Sequence, residues 1–370
     1  MNKRMAFFIV FFIMIFMFNF IFAAEVINPD KPDKGDWDLK AGKVWEVSNY
    51  GNEIMTVPSV GAVLDDGTVG VFDWKHWTNY IFDTNGKYVG SFGKQGEGPG
   101  EVKNQRNMFA GQDKFIIEDY LKLHYFSKKG KFLKSIRYTR EFGFPKLMIN
   151  DNEYISFPDR EKFYITRVNL AKGSRRLIKE ISYFKGLQIP YGDRRATIII
   201  PGLSPKIECG FDKKNHRFFY GINDSYEIYV MNEQGFVVSR FSVKRKKRNV
   251  TNKMKKEMNK EIEISPLMWR RLPGGLAHFD KIQIEDELVL VYSIYFGDYR
   301  DEQQIDIFSP QGKYLYRTIF RPEKGEQIHS NYRYKTIIKN GFLYAALQDQ
   351  DGEMKVIKYK ISLPRPRVND

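Results

Sequence analysis

One cysteine, Cys209, is all the thiol this chain carries, so no intramolecular disulfide can form and stability must come from core and topology. Cys209 lies in an apolar segment with no neighbouring cue for reactivity and reads as a buried structural thiol. Histidine is also sparse. His76, His124, His216, His278 and His329 show no H-E-x-x-H or other tight ligand spacing, so a linear metal motif is excluded; an axial set drawn from several repeats is not. No nucleophile elbow and no Ser, His, Asp order is visible. No cysteine stands near the end of the apolar leader, which excludes a lipoprotein, because lipidation needs a cysteine at the new N-terminus.

That leader is the most hydrophobic part of the chain. Lys3 and Arg4 precede an apolar run from Ala6 to Phe22, and Ala23-Ala24 supply the small residues of a cleavage site. Residues 1–24 therefore read as a signal peptide cleaved after Ala23 or Ala24, and the mature protein as periplasmic or extracellular. The alternative is an uncleaved segment, near the roughly 20 residues a spanning helix needs, which would give the protein a membrane contact.

Acidic residues are outnumbered. The formal net charge is +15, which favours an anionic partner such as an acidic glycan, an anionic headgroup or a protein with an acidic patch. A protein or glycan, rather than nucleic acid, is the expected ligand. Five of the cations are contiguous, from Lys244 to Arg248. Directly after them Val250, Met254, Met258 and Ile262 recur every fourth residue, with Thr251 as N-cap, which predicts an amphipathic helix over about 249–264.

What the chain has in abundance is one repeated phrase. Ile81-Phe82-Asp83-Thr84-Asn85-Gly86-Lys87-Tyr88 returns as Tyr125-Phe126-Ser127-Lys128-Lys129-Gly130-Lys131-Phe132, and again around Gly173, Gly235 and Gly312. Each copy is an aromatic-rich strand, a tight turn with glycine near its end and a second alternating strand, since glycine accepts the positive φ that hairpin turns impose. Another strand pair lies upstream of each copy. The first two glycine spacings match the roughly 40–50 residues of a four-stranded propeller blade. A sixth unit over 334–360 lacks an outer strand, and Lys43 to Ser48 is an alternating segment without a partner. Pairing the two would close the ring and remove a pair of open sheet edges. Aromatic residues, 15% of the chain, suit the wedges between blades.

The expected fold is thus all-β: a monomeric six-bladed propeller of four-stranded antiparallel blades, closed by an N-terminal strand, with one helical insertion between blades four and five. A lead-in over 25–42 precedes the propeller at 43–363, and 364–370 form a tail.

In that architecture the turns between second and third strands share a face with the inter-blade connections, and every long insertion falls on this face. It is the expected binding face. The ligand-binding candidates there are Trp74, His76, Trp77, Arg106, Asp119, Tyr120, Arg270, Arg271 and Arg300, because aromatic planes stack on sugar rings or peptide groups and arginines fork onto carboxylates or phosphates. Asp119, Asp159 and Asp224 hold comparable turn positions, which makes calcium the one cofactor to consider; no motif calls for any other.

The most specific local string is Gly93-Lys94-Gln95-Gly96-Glu97-Gly98-Pro99-Gly100-Glu101. Without the Lys-Ser/Thr of a P-loop, it reads as a tight inter-blade turn rather than a phosphate cradle. Preceded by Phe92 and by the Phe82-to-Tyr88 hairpin, it resembles the blade junction of exported bacterial six-bladed propellers of the NHL and TolB-like superfamily, over the first two blades. The resemblance implies export and a binding or scaffold role, with Gly93, Gly96, Gly98, Pro99 and Gly100 as structural positions. Some relatives are metal-dependent lactonases or lyases, so a hydrolase or lyase with an axial site is the alternative function.

Overall fold

The computed structural model describes residues 24–157, 163–181, 187–191, 194–198, 203–261, 269–270, 274–293, 302–328 and 336–364. Strands from these residues form six antiparallel blades, spanning 58–92, 105–137, 145–181, 207–243 and 279–320, with the sixth completed by an N-terminal strand. Second strands are buried on both faces, as in Val69–Asp73 and Leu288–Ser293, because each is covered by a neighbouring blade on either side. Outer strands keep the half-exposed alternation, as in Tyr88–Phe92.

The hairpin phrase performs as its chemistry requires. Gly86, Gly130, Gly173, Gly235 and Gly312 all have positive φ. In four of these copies a short polar side chain opens the turn and accepts the amides that follow: Asp83, Ser127, Asn232 and Ser309. Blade six carries the same device, Asp349 accepting the amides of Asp351 and Glu353 ahead of Gly352. That copy escapes the sequence search because its strands lack the Phe-Asp-x-x-Gly-Lys spelling.

Strand β2 (Gly42–Val47) pairs antiparallel with Met354–Lys360, with Trp45 opposite Lys358, and closes the ring. Helix α1 (Asn252–Glu261) lies between blades four and five, and Thr251 Oγ1 accepts the Met254 amide at 3.2 Å as its cap. Met254 is buried; Ile262 lies outside the described residues.

The lead-in holds more order than its composition announces. Strand β1 (Ala24–Asn28) adds a fifth, parallel strand to the outer edge of blade four, starting with Ala24 opposite Ser239. From there the chain crosses blade five: the amides of Asp33, Lys34 and Trp37 donate to the carbonyls of Tyr314, Leu315 and Arg317. Leu39 then enters the core between blades five and six. Residues 24–47 form a strap across three blades. The leader itself, up to residue 23, lies outside the described residues, and no helix among the described residues is long and apolar enough to cross a membrane.

Candidate functional site

The loop-rich face is organised by an anchor that recurs at the end of the second strand in blades one, two and four. In blade one Asp73, fully buried, accepts the amides of Thr56 and Val57 from the segment entering the blade, the Thr56 hydroxyl at 2.8 Å, and the amides of Lys75 and His76 from its own turn. Burial alone would raise its pKa, but these donors outweigh it and hold the carboxylate below its ordinary value. In blade two Asp119 does the same for the amides of Lys103 and Asn104, with His124 Nε2 at 3.4 Å, and its pKa is likewise lowered in spite of burial. Blade four uses Asn223, which accepts the Lys206 amide at 2.7 Å and donates to the Phe279 carbonyl at 2.6 Å. The recurring position is therefore Asn223, one residue before Asp224. Asp224 itself pairs with Lys247. Asp159 lies outside the described residues. Calcium would have to displace these bonds at Asp119 and Asp224.

Asp73 sets the geometry of Trp74, His76 and Trp77. Trp74 donates from Nε1 to Ser59 Oγ at 3.2 Å, and Phe72, Trp74 and Trp77 form an edge-to-face cluster with centroids 4.8–5.9 Å apart. His76 Nδ1 is 3.3 Å from the Tyr80 hydroxyl. Trp77 is the unusual member: its φ is 51°, a left-handed conformation that a bulky side chain rarely takes, and its buried indole N–H has no hydrogen-bond partner.

Blades two and three contribute a second group. The Arg106 guanidinium lies 3.9 Å from the Phe144 ring centroid and 5.4 Å from that of Tyr120. Arg140 covers the other reach of Tyr120 at 5.6 Å and donates to its hydroxyl, while Tyr120 stays 39% exposed. Sequence reasoning named Arg106 and Tyr120 but not Arg140 and Phe144, which come from the inter-blade loop and the residue ahead of the next inner strand. The result is a ledge of alternating guanidinium and aromatic planes.

Arg270 is exposed beside Trp269, whose indole donates to Asn259 Oδ1 at 3.3 Å and whose ring lies 5.5 Å from Lys255 Nζ, so both belong to the helical insertion. Arg271 and Arg300 lie outside the described residues.

The glycine-rich string closes on itself. Val102 donates to the Lys94 carbonyl, and Glu101 folds back so that its carboxylate accepts the Gly98 amide at 2.9 Å. A side chain at Gly96 would collide with that carboxylate, and Gly93 and Gly100 have positive φ. Glu101 fills the space a phosphate would take, so the loop is the tight turn its composition suggests, with Pro99 exposed at its tip.

Along the axis, inner strands present Lys146, Glu208 and Lys281. Lys146 Nζ is 3.2 Å from Glu208, and that carboxylate raises its pKa. Lys281 donates to the Thr336 carbonyl at 3.0 Å; burial brings its pKa down to about 7, against the opposing pull of Glu285 and Glu208. The thiol of Cys209, half-buried on the same inner strand as Glu208, is pushed up to about 12 by its apolar surroundings. Among the described residues no three His, Cys, Asp or Glu side chains are grouped to hold a metal ion. His124 Nδ1 bonds Ser135 Oγ while its Nε2 lies 3.4 Å from Asp119, and His216 bonds Glu233 on the surface.

No family model matches this chain, and no curated protein matches it. Solved structures do. A member of the DUF4221 family from Bacteroides vulgatus is 10% identical, with a TM-score of 0.55, covering 89% of this chain and 98% of its own. A candidate exported protein from Bacteroides fragilis is 12% identical, with a TM-score of 0.52, covering 92% of this chain and all of its own. A gluconolactonase from Xanthomonas campestris aligns at 9% identity and a TM-score of 0.44 over 90% of this chain and 98% of its own. At these identities the first two likenesses carry the fold.

Proposed function

We propose that the chain is an exported, non-catalytic binding propeller that recognises a protein, a glycan or another anionic ligand on its loop-rich face. The observation that carries this reading is the ledge of Arg106, Phe144, Tyr120 and Arg140, which presents guanidinium and ring planes on the face where the insertions gather. Such planes take sugar rings by stacking and carboxylates by bidentate hydrogen bonds. Trp77, half-buried in a left-handed turn against the blade-one core, adds a second aromatic plane beside Trp74 on the same face. Export is supported by the charged and apolar leader ending in Ala23-Ala24 and by the fold shared with the B. fragilis protein. The reading takes the protein as a monomer without a cofactor.

A second reading, a metal-dependent hydrolase or lyase of the lactonase kind, draws its support from the axis. Lys281, its pKa brought to about 7 by burial while its ammonium donates to the Thr336 carbonyl, is the axial group from which a general base could be drawn. The described axial residues do not gather a carboxylate or histidine set around a metal, so no step through one is derived. Elemental analysis of purified protein, with a panel of lactones and esters, separates the two. The binding reading expects neither stoichiometric zinc or calcium nor turnover; one metal ion per chain together with turnover lost in Lys281→Ala would replace it with the enzyme reading.

A further inference from the structure

Between blades four and five the strap, the Lys244–Arg248 run and blade five enclose a cavity of about 230 Å³. Its cationic wall is Arg245, Lys246, Arg248 and Arg317, and His278 also lines it. Arg245, only 14% exposed, is fixed from below: its Nη1 donates to Asp306 at 2.6 Å, and Asp306, fully buried, also accepts the Tyr226 hydroxyl at 2.6 Å and bonds Tyr314. Arg317 is fixed by the same pair, Nε lying 3.1 Å from the Tyr314 hydroxyl and 3.5 Å from Asp306. The two guanidiniums are thus aimed and held before anything enters the cavity, which is the preorganisation an anion site needs.

What they meet there is a carboxylate of the chain's own strap. Asp30 Oδ1 lies 2.5 Å from Arg245 Nε and 3.3 Å from Arg317 Nη2, and Arg317 also donates to the Asp30 carbonyl at 2.7 Å. Unlike Asp306, Asp30 is a rim group, its side chain 52% exposed, so water competes for its carboxylate. The cavity's surroundings remain cationic with Asp30 in place: His278 has its pKa lowered to about 4, first by burial and then by Lys247, Arg245 and Arg248, against Asp224 alone. A weakly held carboxylate therefore sits on two firmly held arginines in a pocket with room for a larger anion.

We infer that the Arg245–Arg317 pocket is a binding site for the phosphate of a small phosphomonoester, and that Asp30 holds the phosphate's position until the ligand displaces it. With Nη1 and Nη2 of Arg245 held by Asp306 and the Tyr314 hydroxyl and Nε of Arg317 held by the same pair, Arg245 Nε and Arg317 Nη2, the groups that now meet Asp30, donate to the phosphate oxygens; Lys246 adds charge from the rim, and Ser293 and Gln304 line the part of the cavity that takes the organic portion. This site is on blades four and five and stands or falls independently of the ledge on blades two and three.

Titration calorimetry of the full mature chain with inorganic phosphate, a hexose 6-phosphate and the uncharged hexose tests it. Saturable binding of the first two and none of the hexose is expected. Asp30→Asn should tighten phosphate by roughly tenfold by removing the competitor, and Lys246→Ala, at an exposed position, should weaken it by several-fold. Hydrogen exchange should show the amides of residues 29–34 losing protection as phosphate binds. Absence of saturable phosphate binding in both wild type and Asp30→Asn would overturn the site; binding that neither substitution alters would overturn the placement.

Discussion

Trp45 is where ring closure can be weighed. It lies in β2, buried, with ring centroids 6.5 Å from Phe82 of blade one and 6.3 Å from Tyr344 of blade six, and its indole donates to the Thr84 carbonyl at 3.0 Å. It also packs on the first hairpin so closely that a Cβ at Gly86 would come within 2.9 Å of its ring. Trp45→Ala removes this seam. Large aromatic truncations cost about 3–5 kcal/mol, and rigid rings on both sides prevent the hole from collapsing, so a loss of about 4 kcal/mol is expected. Trp45→Phe keeps most of the packing and loses chiefly the hydrogen bond, about 1 kcal/mol. Urea unfolding measures both, and hydrogen exchange should show Gly42–Val47 and Met354–Lys360 losing protection together in Trp45→Ala. A loss below about 1 kcal/mol for Trp45→Ala, with β2 still protected, would show that the ring is held closed by something else.

Three further outcomes follow from the same contacts. Asp306→Asn should cost about 3 kcal/mol in urea unfolding, because it leaves the Arg245 guanidinium buried with a neutral partner; a cost near zero would mean that Asp30 alone carries that charge. His278 faces Lys247, Arg245 and Arg248, the Asp224 carboxylate and the Tyr226 ring, and its folded pKa of about 4 lies below its ordinary 6.5. The unfolded chain therefore takes up the proton first, so this contribution is complete above pH 6.5 and is lost as pH falls toward 4. The lost amount is about 1 kcal/mol after solvent screening, and His278→Gln should flatten the stability profile across that window. Thr251→Ala should cost α1 about 1 kcal/mol of local stability, read as faster amide exchange confined to Asn252–Glu261.

The blades are legible in the sequence because their signals are local: a polar opener, a glycine three residues on and alternating strands on either side. The partner of β2 is legible by elimination, since blade six lacks an outer strand. Non-local pairings leave no such trace. Ala24–Asn28 falls where the expected leader ends and the lead-in begins and carries no hairpin signal, yet it pairs in parallel with a strand over two hundred residues away. The hairpin of Leu187–Tyr191 and Arg194–Ile198 lies inside a long inter-blade connection; Gly192-Asp193 between its runs is a local turn cue, but Pro190 in the first run argues against a strand there. Among site residues, Tyr120 is visible as a type in the right turn and Arg106 as a type, although it stands in the inner strand Gln105–Ala110 rather than in a loop, whereas Phe144 and Arg140 join them only through the packing of blade three on blade two. The anchor Asn223 was masked by the more conspicuous Asp224 beside it. Arg245 belongs to an obvious basic run, but Asp30, Arg317 and Asp306, which give it a role, are far apart in sequence.

Binding to glycan arrays and to envelope proteins, compared at low and high salt for the wild type, Trp77→Ala, Arg106→Ala and Arg270→Ala, tests the central claim most directly. The account predicts a bound species whose capture weakens with salt and drops by tenfold or more in Arg106→Ala and Trp77→Ala, since contacts of this kind are worth about 1–2 kcal/mol or more. Capture unchanged by salt and by all three substitutions would contradict it and move the binding surface off the loop-rich face.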